Sequence, residues 1–222
     1  MKYLLYCIVQ RDLDGPPPAS GLCLVAAQGL AAVVSQVPET VAAPGVPTLL
    51  AFAGVVKAIH AAQAVIPLRY GCVLESEAAI IRLLEAQREE YEALFERLRG
   101  MTEMGIRVLC QARPVVLPRP VLSPGAAHLA SLRKRYHSPA SLAPDEAQLA
   151  DRIAASLAGC FSEQRRETSA AGEGHLLSLY FLIARTEVEC FRNKARQISL
   201  PDDTRLLQSG PWPPYNFTAS AE

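Results

Sequence analysis

Four histidines and six cysteines are the residues of this 222-residue chain best suited to metal, nucleophilic or proton chemistry. His60, His128, His137 and His175 show no HExxH spacing and no cysteine at ligand distance along the chain, so they predict no metal site. His60 sits beside the apolar stripe of a helical pattern and reads as a partly buried structural histidine. Cys7, Cys23, Cys72, Cys110, Cys160 and Cys190 are scattered, without a CxxC, mostly inside apolar runs. That pattern suits small buried thiols in a reducing compartment better than a disulfide framework or zinc site. No GxxxxGK[ST] occurs, and Gly172-Glu173-Gly174 lacks the third glycine and preceding strand of a dinucleotide fingerprint. A Ser/His or Cys/His site assembled in space leaves no local mark, and no local nucleophile motif is present. The sequence therefore assigns no catalytic, cofactor-binding or metal-ligating residue.

Three other features concern recognition. Arg133-Lys134-Arg135-Tyr136-His137 has the composition of a phosphate patch, but 22 Lys plus Arg balance 22 Asp plus Glu, leaving no field for nucleic acid or anionic lipid. The cluster reads as a solvated helix face. Arg69, in Pro67-Leu68-Arg69-Tyr70-Gly71, is a cation inside an apolar strand pattern and requires a partner, because an unpaired buried guanidinium is costly. The structural reading pairs it with Glu103 or a helix-borne carboxylate; the functional one meets an acidic group on another protein. Finally, Gly210-Pro211-Trp212-Pro213-Pro214-Tyr215-Asn216-Phe217 sets three prolines and three aromatics, including the single tryptophan, in eight residues. Prolines fix φ and remove donors, which predicts a stiff extended path that docks with little entropic loss. It reads as a closing segment latched onto the core, the alternative being an aromatic partner-binding surface.

The elements that position these residues follow from periodicity. Residues 3–10 read as a strand, 22–28 and 30–37 as paired strands or one bulged strand, and 67–74 as a further strand. Between them Leu49, Phe52, Val56, Ile59 and Gln63 mark a helix with Thr48 as N-cap. A long amphipathic helix over 76–99 stops at Gly100, with Arg88 and Glu92 an i,i+4 pair. It reads as a helix lying on a sheet rather than a coiled coil. Strand 105–112, helices over 126–137 and from Pro144, a polar edge strand over 160–168, a turn over 169–174, a buried central strand over 176–184, a helix with Val188, Phe191, Ala195 and Ile198 on one face, and a last strand over 205–209 complete the chain. The first apolar run, from Tyr3 to Val9, is too short for a signal peptide, and no run approaches the roughly 20 residues that span a bilayer. These features predict a soluble cytoplasmic α+β protein of two domains. Residues 1–100 form a smaller α/β sandwich with an antiparallel or mixed sheet, and 101–222 a ferredoxin-like βαββαβ domain carrying the aromatic tail.

The start Tyr3-Leu4-Leu5-Tyr6-Cys7-Ile8-Val9, Gly29-Leu30-Ala31-Ala32-Val33-Val34-Ser35, His60 followed by Pro67-Leu68-Arg69-Tyr70-Gly71-Cys72-Val73, Glu103-Met104-Gly105-Ile106-Arg107-Val108 and the segment 210–217 resemble, in order and spacing, the gas vesicle protein F/L family. Tyr70 stands where phenylalanine is usual, Cys7 and Cys72 replace small residues, and Met104 occupies a commonly aromatic position, leaving the F or L subtype open. The resemblance implies a non-enzymatic accessory or minor structural protein of gas vesicles, without cofactor. It would bind the apolar shell protein or other accessory proteins during nucleation. It also marks Pro67, Arg69, Tyr70, Gly71, Glu103, Gly105, Gly210, Pro211, Trp212, Pro213, Pro214, Tyr215 and Phe217 as structural or partner-binding residues. A small-molecule-binding regulatory module built from ferredoxin-like domains is the competing expectation.

Overall fold

The computed structural model describes residues 1–11, 21–38, 45–110, 144–171, 174–200 and 204–218. The expected helix over 126–137, the basic cluster at 133–137 and His128 lie outside them. In chain order the elements are β1 (Lys2–Gln10), β2 (Cys23–Ala27), β3 (Leu30–Val37), α1 (Val46–Ala62), β4 (Ile66–Pro67), β5 (Val73–Leu74), α2 (Glu77–Ala86), α3 (Arg88–Leu98), β6 (Met101–Cys110), α4 (Pro144–Ser156), β7 (Glu163–Ala171), β8 (Gly174–Ala184), α5 (Val188–Arg196) and β9 (Arg205–Trp212). Short 3-10 turns occupy Arg185–Glu187 and Tyr215–Phe217.

Two antiparallel sheets organise the chain. The first runs β2-β3-β1-β4, with β5 also pairing to β1; the second runs β7-β8-β6-β9. β2 and β3 are separate strands joined by Gln28 and Gly29, at φ 49° and 83°. Two consecutive left-handed residues twist with the flanking strands, as in a tight type I′ hairpin.

Both faces of the first sheet are covered, which accounts for its uninterrupted apolar runs. Leu5, Ile8, Leu30, Ala32 and Val34 pack under Ile80 and Leu84 of α2 and Tyr91, Leu94 and Phe95 of α3. Leu4, Cys7, Val9, Ala31 and Val33 face Phe52 and Val56 of α1. In the second sheet Met104, Ile106 and Val108 of β6 and Leu177, Leu179, Phe181 and Ile183 of β8 meet Leu149, Ile153 and Leu157 from the α4 region and Phe191 and Ala195 of α5. Val188 and Ile198 join them, as the periodicity of that helix predicts.

Several local expectations are corrected. The helix over 76–99 is two helices, broken at Gln87 (φ −108°, ψ 16°), the position where the apolar stripe is interrupted; Ser76 caps the first by accepting from the Ala79 amide. α1 begins before Thr48, with Gly45 as N-cap and Pro47 in the first turn, where its missing donor costs nothing. Its buried residues are Phe52, Val56 and His60. The strand over 67–74 is two two-residue strands separated by a turn with Gly71 at φ 96°. β6 starts directly after Gly100, four residues before the expected 105, and β7 and β8 run into the expected turn at 169–174. β9 continues through Pro211 to Trp212, a placement open to proline because β9 is an edge strand.

Candidate functional site

The tail is positioned by a bulge between β6 and β9. Glu103 pairs with Trp212 and Gly105 with Ser209, so Met104 is opposed by both Gly210 and Pro211. Gly210 lies at φ 109°, and a Cβ there would stand 2.8 Å from the Glu103 carbonyl oxygen and 2.8 Å from Met104 Sδ. Only glycine supplies that conformation and that approach. Gly105 is close to the same strand, since a Cβ on it would meet Ser209 Oγ at 2.6 Å. The Gly210 carbonyl accepts from Arg192 of α5 at 3.2 Å, and the Gly210-Pro211 peptide is cis.

Beyond the bulge the aromatic segment spreads across both sheets. Trp212 is 40% exposed, with Lys57 Nζ of α1 5.3 Å above its ring. Its carbonyl accepts from Thr102 Oγ1 at 2.9 Å. Pro213 and Pro214 are buried. Tyr215 enters the α1-side cluster of the first sheet, and burial pushes its phenol up to about 12. Phe217 is fully buried with Leu98 of α3 and Leu182 of β8, under Arg165, while its carbonyl accepts from Arg97 of α3. The extended path predicted for residues 210–217 holds only for the first part, because Tyr215–Phe217 curls into a 3-10 turn. That curl carries Tyr215 and Phe217 to different clusters.

Asn216, at the middle of the turn, donates its backbone N–H (2.9 Å) and side-chain amide (2.7 Å) to the two oxygens of Glu103. Glu103 is 4% exposed. Burial raises its pKa, opposed by the two Asn216 bonds.

A second polar cluster stitches α1 to the second sheet. Arg185, just after β8, donates to the His60 and Gln63 carbonyls (Gln63 at 3.2 Å) and to Ala61 O at 3.3 Å, so a guanidinium satisfies the free carbonyls at the C-terminus of α1. His60 contacts Arg185 through Nδ1 (3.1 Å) and Thr102 Oγ1 through Nε2 (3.4 Å). Desolvation, helped by the Arg185 charge, lowers its pKa to about 4 and keeps the ring neutral.

The remaining predicted residues are placed differently. Pro67 is buried in β4, and Tyr70 lies edge-on to Phe52 with ring centroids 5.3 Å apart, in the cluster that also receives Tyr215. Thus the two halves of the sequence pattern meet at one apolar cluster. Arg69, in contrast, is exposed; its carbonyl accepts from the Cys72 amide at 3.4 Å, and its side chain makes no hydrogen bond or ion pair among the described residues. The expected Arg69–Glu103 pair does not form; the turn at Gly71 leaves Arg69 in water, and Asn216 takes Glu103. Sequence reasoning passed over Asn216, Arg185 and Thr102, whose partners lie 42 to 125 residues away. It also passed over Cys160 and Cys190, whose sulfurs stand 3.0 Å apart.

These features define a mixed α+β protein in which buried polar groups and a C-terminal aromatic turn bind two antiparallel sheets together. Over residues 2–219 the chain matches the family model described as gas vesicle synthesis protein GvpL/GvpF. It belongs to that family, and has an accessory role in gas vesicles. Gas vesicle protein L of Streptomyces sp. (strain CB03234) is 28% identical over 182 residues, covering 76% of this chain and 67% of that protein. The crystal structures of gas vesicle protein GvpF from Anabaena sp. PCC7120 and from Microcystis aeruginosa superpose with TM-scores of 0.69 and 0.70 at 15% and 16% identity. They cover 100% and 99% of this chain and 99% of each solved chain, so the fold is shared throughout. Among the described residues, no helix is long and apolar enough to cross a membrane.

Proposed function

We propose that this chain is a non-enzymatic assembly protein that holds the small apolar gas vesicle shell protein during nucleation, using the exposed first turns of α1. One observation carries the reading: the first turns of α1 leave large apolar side chains uncovered. Phe52 and Val56 are packed inward, yet in the first turns Val46 (70%), Leu49 (41%) and Leu50 (67%) are exposed, Leu49 as the uncovered end of the same stripe and Val46 and Leu50 beside it. Large apolar side chains left uncovered together at one end of a helix fit an apolar partner. Trp212, over Lys57 of the same helix, lies near this surface. Family membership supplies the context, and the assignment extends to the gas vesicle and cytoplasm as its location.

The element order β6-α4-β7-β8-α5-β9 and the sheet order β7-β8-β6-β9 fit a ferredoxin-like domain over 101–222, with residues 1–100 as a first domain. In this reading the second domain is a platform and the tail sets the angle of the first upon it. Neither nucleic acid nor membrane is a partner.

The test is co-sedimentation of the full chain with shell protein. Leu50→Glu, and separately Val46→Glu, should weaken capture at least tenfold without lowering the melting temperature; unchanged capture would sink the proposal. A second reading, a regulatory small-molecule site, is favoured by a cleft of about 420 Å³ between the sheets, lined by Gln10, Gln63, Arg99 and Arg185. There the buried Gln63 Oε1 has no hydrogen-bond partner among the described residues. Thermal stabilisation by a polar metabolite, lost in Arg99→Ala, would support that reading, and no shift across a metabolite panel would remove it.

A further inference from the structure

Cys160 and Cys190 are thirty residues apart in sequence, and their Sγ atoms are 3.0 Å apart. Cys160 is buried at the edge of the second sheet's core, against the cluster containing Phe181 and Phe191, whereas Cys190 is exposed in the first turn of α5. Their approach is built into the fold. Gly159, at φ 81°, reverses the chain after α4, and Lys194 Nζ of α5 donates to the Ala158 carbonyl at 2.8 Å, pinning that reversal against the helix.

The geometry points to a thiol–disulfide site at Cys160 and Cys190, oxidised by small-molecule disulfides and joining the turn after α4 to α5. Cys190, the accessible sulfur, attacks the small disulfide as thiolate, breaking its S–S bond and releasing one thiol. Cys160 then attacks Cys190 Sγ in the mixed disulfide, giving the internal bond and releasing the second small thiol. Each protein thiol gives up its proton to solvent as it attacks, and the two electrons reduce the small disulfide to two thiolates, which recover those protons.

A metal centre is the competing chemistry, because Glu187 brings a carboxylate oxygen within 4.8 Å of both sulfurs. Two thiolates on one tetrahedral zinc, at about 2.3 Å each, stand roughly 3.8 Å apart. The 3.0 Å approach lies inside that spacing, and the described cluster offers three donors rather than four.

The experiment treats the reduced full-length protein with oxidised glutathione, alkylates the free thiols and maps the peptides. The expected product is a cross-linked Cys160–Cys190 peptide lighter by two hydrogens, with a melting temperature higher by about 5–10 °C that returns on reduction. Cys190→Ser, a surface change, should abolish both. Cys160→Ala should stop at a glutathione adduct on Cys190, and this adduct also tests the order of attack. Wild-type protein that stops at that adduct, or keeps both thiols alkylatable, would overturn the proposal. So would stoichiometric bound zinc that is lost in Cys190→Ser and protects both thiols from oxidation.

Discussion

Asn216 uses both of its donors on the two oxygens of Glu103, at 2.9 and 2.7 Å, across 113 residues of sequence. A buried carboxylate on β6 thereby fixes the register of the tail, because the amides of Tyr215 and Phe217 on either side are spent on the Pro213 and Pro214 carbonyls. Hydrogen bonds to a charged acceptor contribute about 1.5–3 kcal/mol. Asn216→Ala should therefore cost roughly 2 kcal/mol by denaturant unfolding. Glu103→Gln should cost a similar amount, and the double variant clearly less than the sum. Additive losses would show that the pair does not act as a unit.

The two ends of the aromatic segment should separate in their effects. Phe217 fills the space between Leu98 and Leu182, so Phe217→Ala should lower stability by about 3–5 kcal/mol. Trp212 is substantially exposed, and its contact with Lys57 is worth on the order of 0.5–1 kcal/mol. Trp212→Ala should accordingly leave the melting temperature within a few degrees while weakening shell-protein capture. Urea melts of the two variants, run beside the co-sedimentation assay, check both statements.

His60 gives the fold a pH dependence whose sign is determined. Its folded pKa, about 4, lies below the ordinary 6.5, so between these values the unfolded chain binds a proton that the folded one refuses. Stability should rise with pH from 4 to 6.5 through this residue, by about 3 kcal/mol at most, and be unaffected by it above that range. Glu103, whose pKa is raised from 4.5, acts oppositely as pH rises through that value. The informative quantity is thus the wild-type slope minus that of His60→Gln, measured by melts at stepped pH. Identical slopes would contradict the burial of a neutral ring.

What was legible in the sequence was whatever leaves a periodic or stereochemical trace. β1, β3 and β8 appear as apolar runs, α5 as a stripe that matches its buried face, and Gly100 as a stop, with φ 69° directly after α3. The closing role of residues 210–217 was readable from proline stiffness and ring area. The break at Gln87 was marked only by an interrupted stripe, which is equally compatible with a polar position on one continuous helix. The Arg69–Glu103 pairing fails because the apolar pattern over 67–74 is not one strand: pairing of Ile66–Pro67 and Val73–Leu74 to β1 leaves a turn between them. Glu103–Asn216, Arg185–His60 and Cys160–Cys190 are contacts of 113, 125 and 30 residues' separation, and distant partnership has no local signature. The exposed first turns of α1 were hidden by its composition, since a helix with apolar residues on most sides does not announce which part is uncovered.

Gly210 and Gly159 offer a matched pair for testing whether the bulge under the tail is a true close approach. Both have positive φ, 109° and 81°, so alanine at either pays the backbone cost of an unfavourable conformation, about 1–2 kcal/mol. They differ in surroundings: among the described residues nothing lies within 4 Å of a Cβ at Gly159, whereas one at Gly210 falls 2.8 Å from the Glu103 carbonyl oxygen and 3.3 Å from Met104 Cα. Met104 Sδ can move aside, but the β6 backbone can yield only by breaking the pairing that holds Glu103 opposite Trp212. Gly210→Ala should therefore destabilise by at least about 2 kcal/mol more than Gly159→Ala, and only Gly210→Ala should also lose the coupling between Glu103 and Asn216. Equal losses at the two positions would mean that the tail does not need the bulge to reach Glu103.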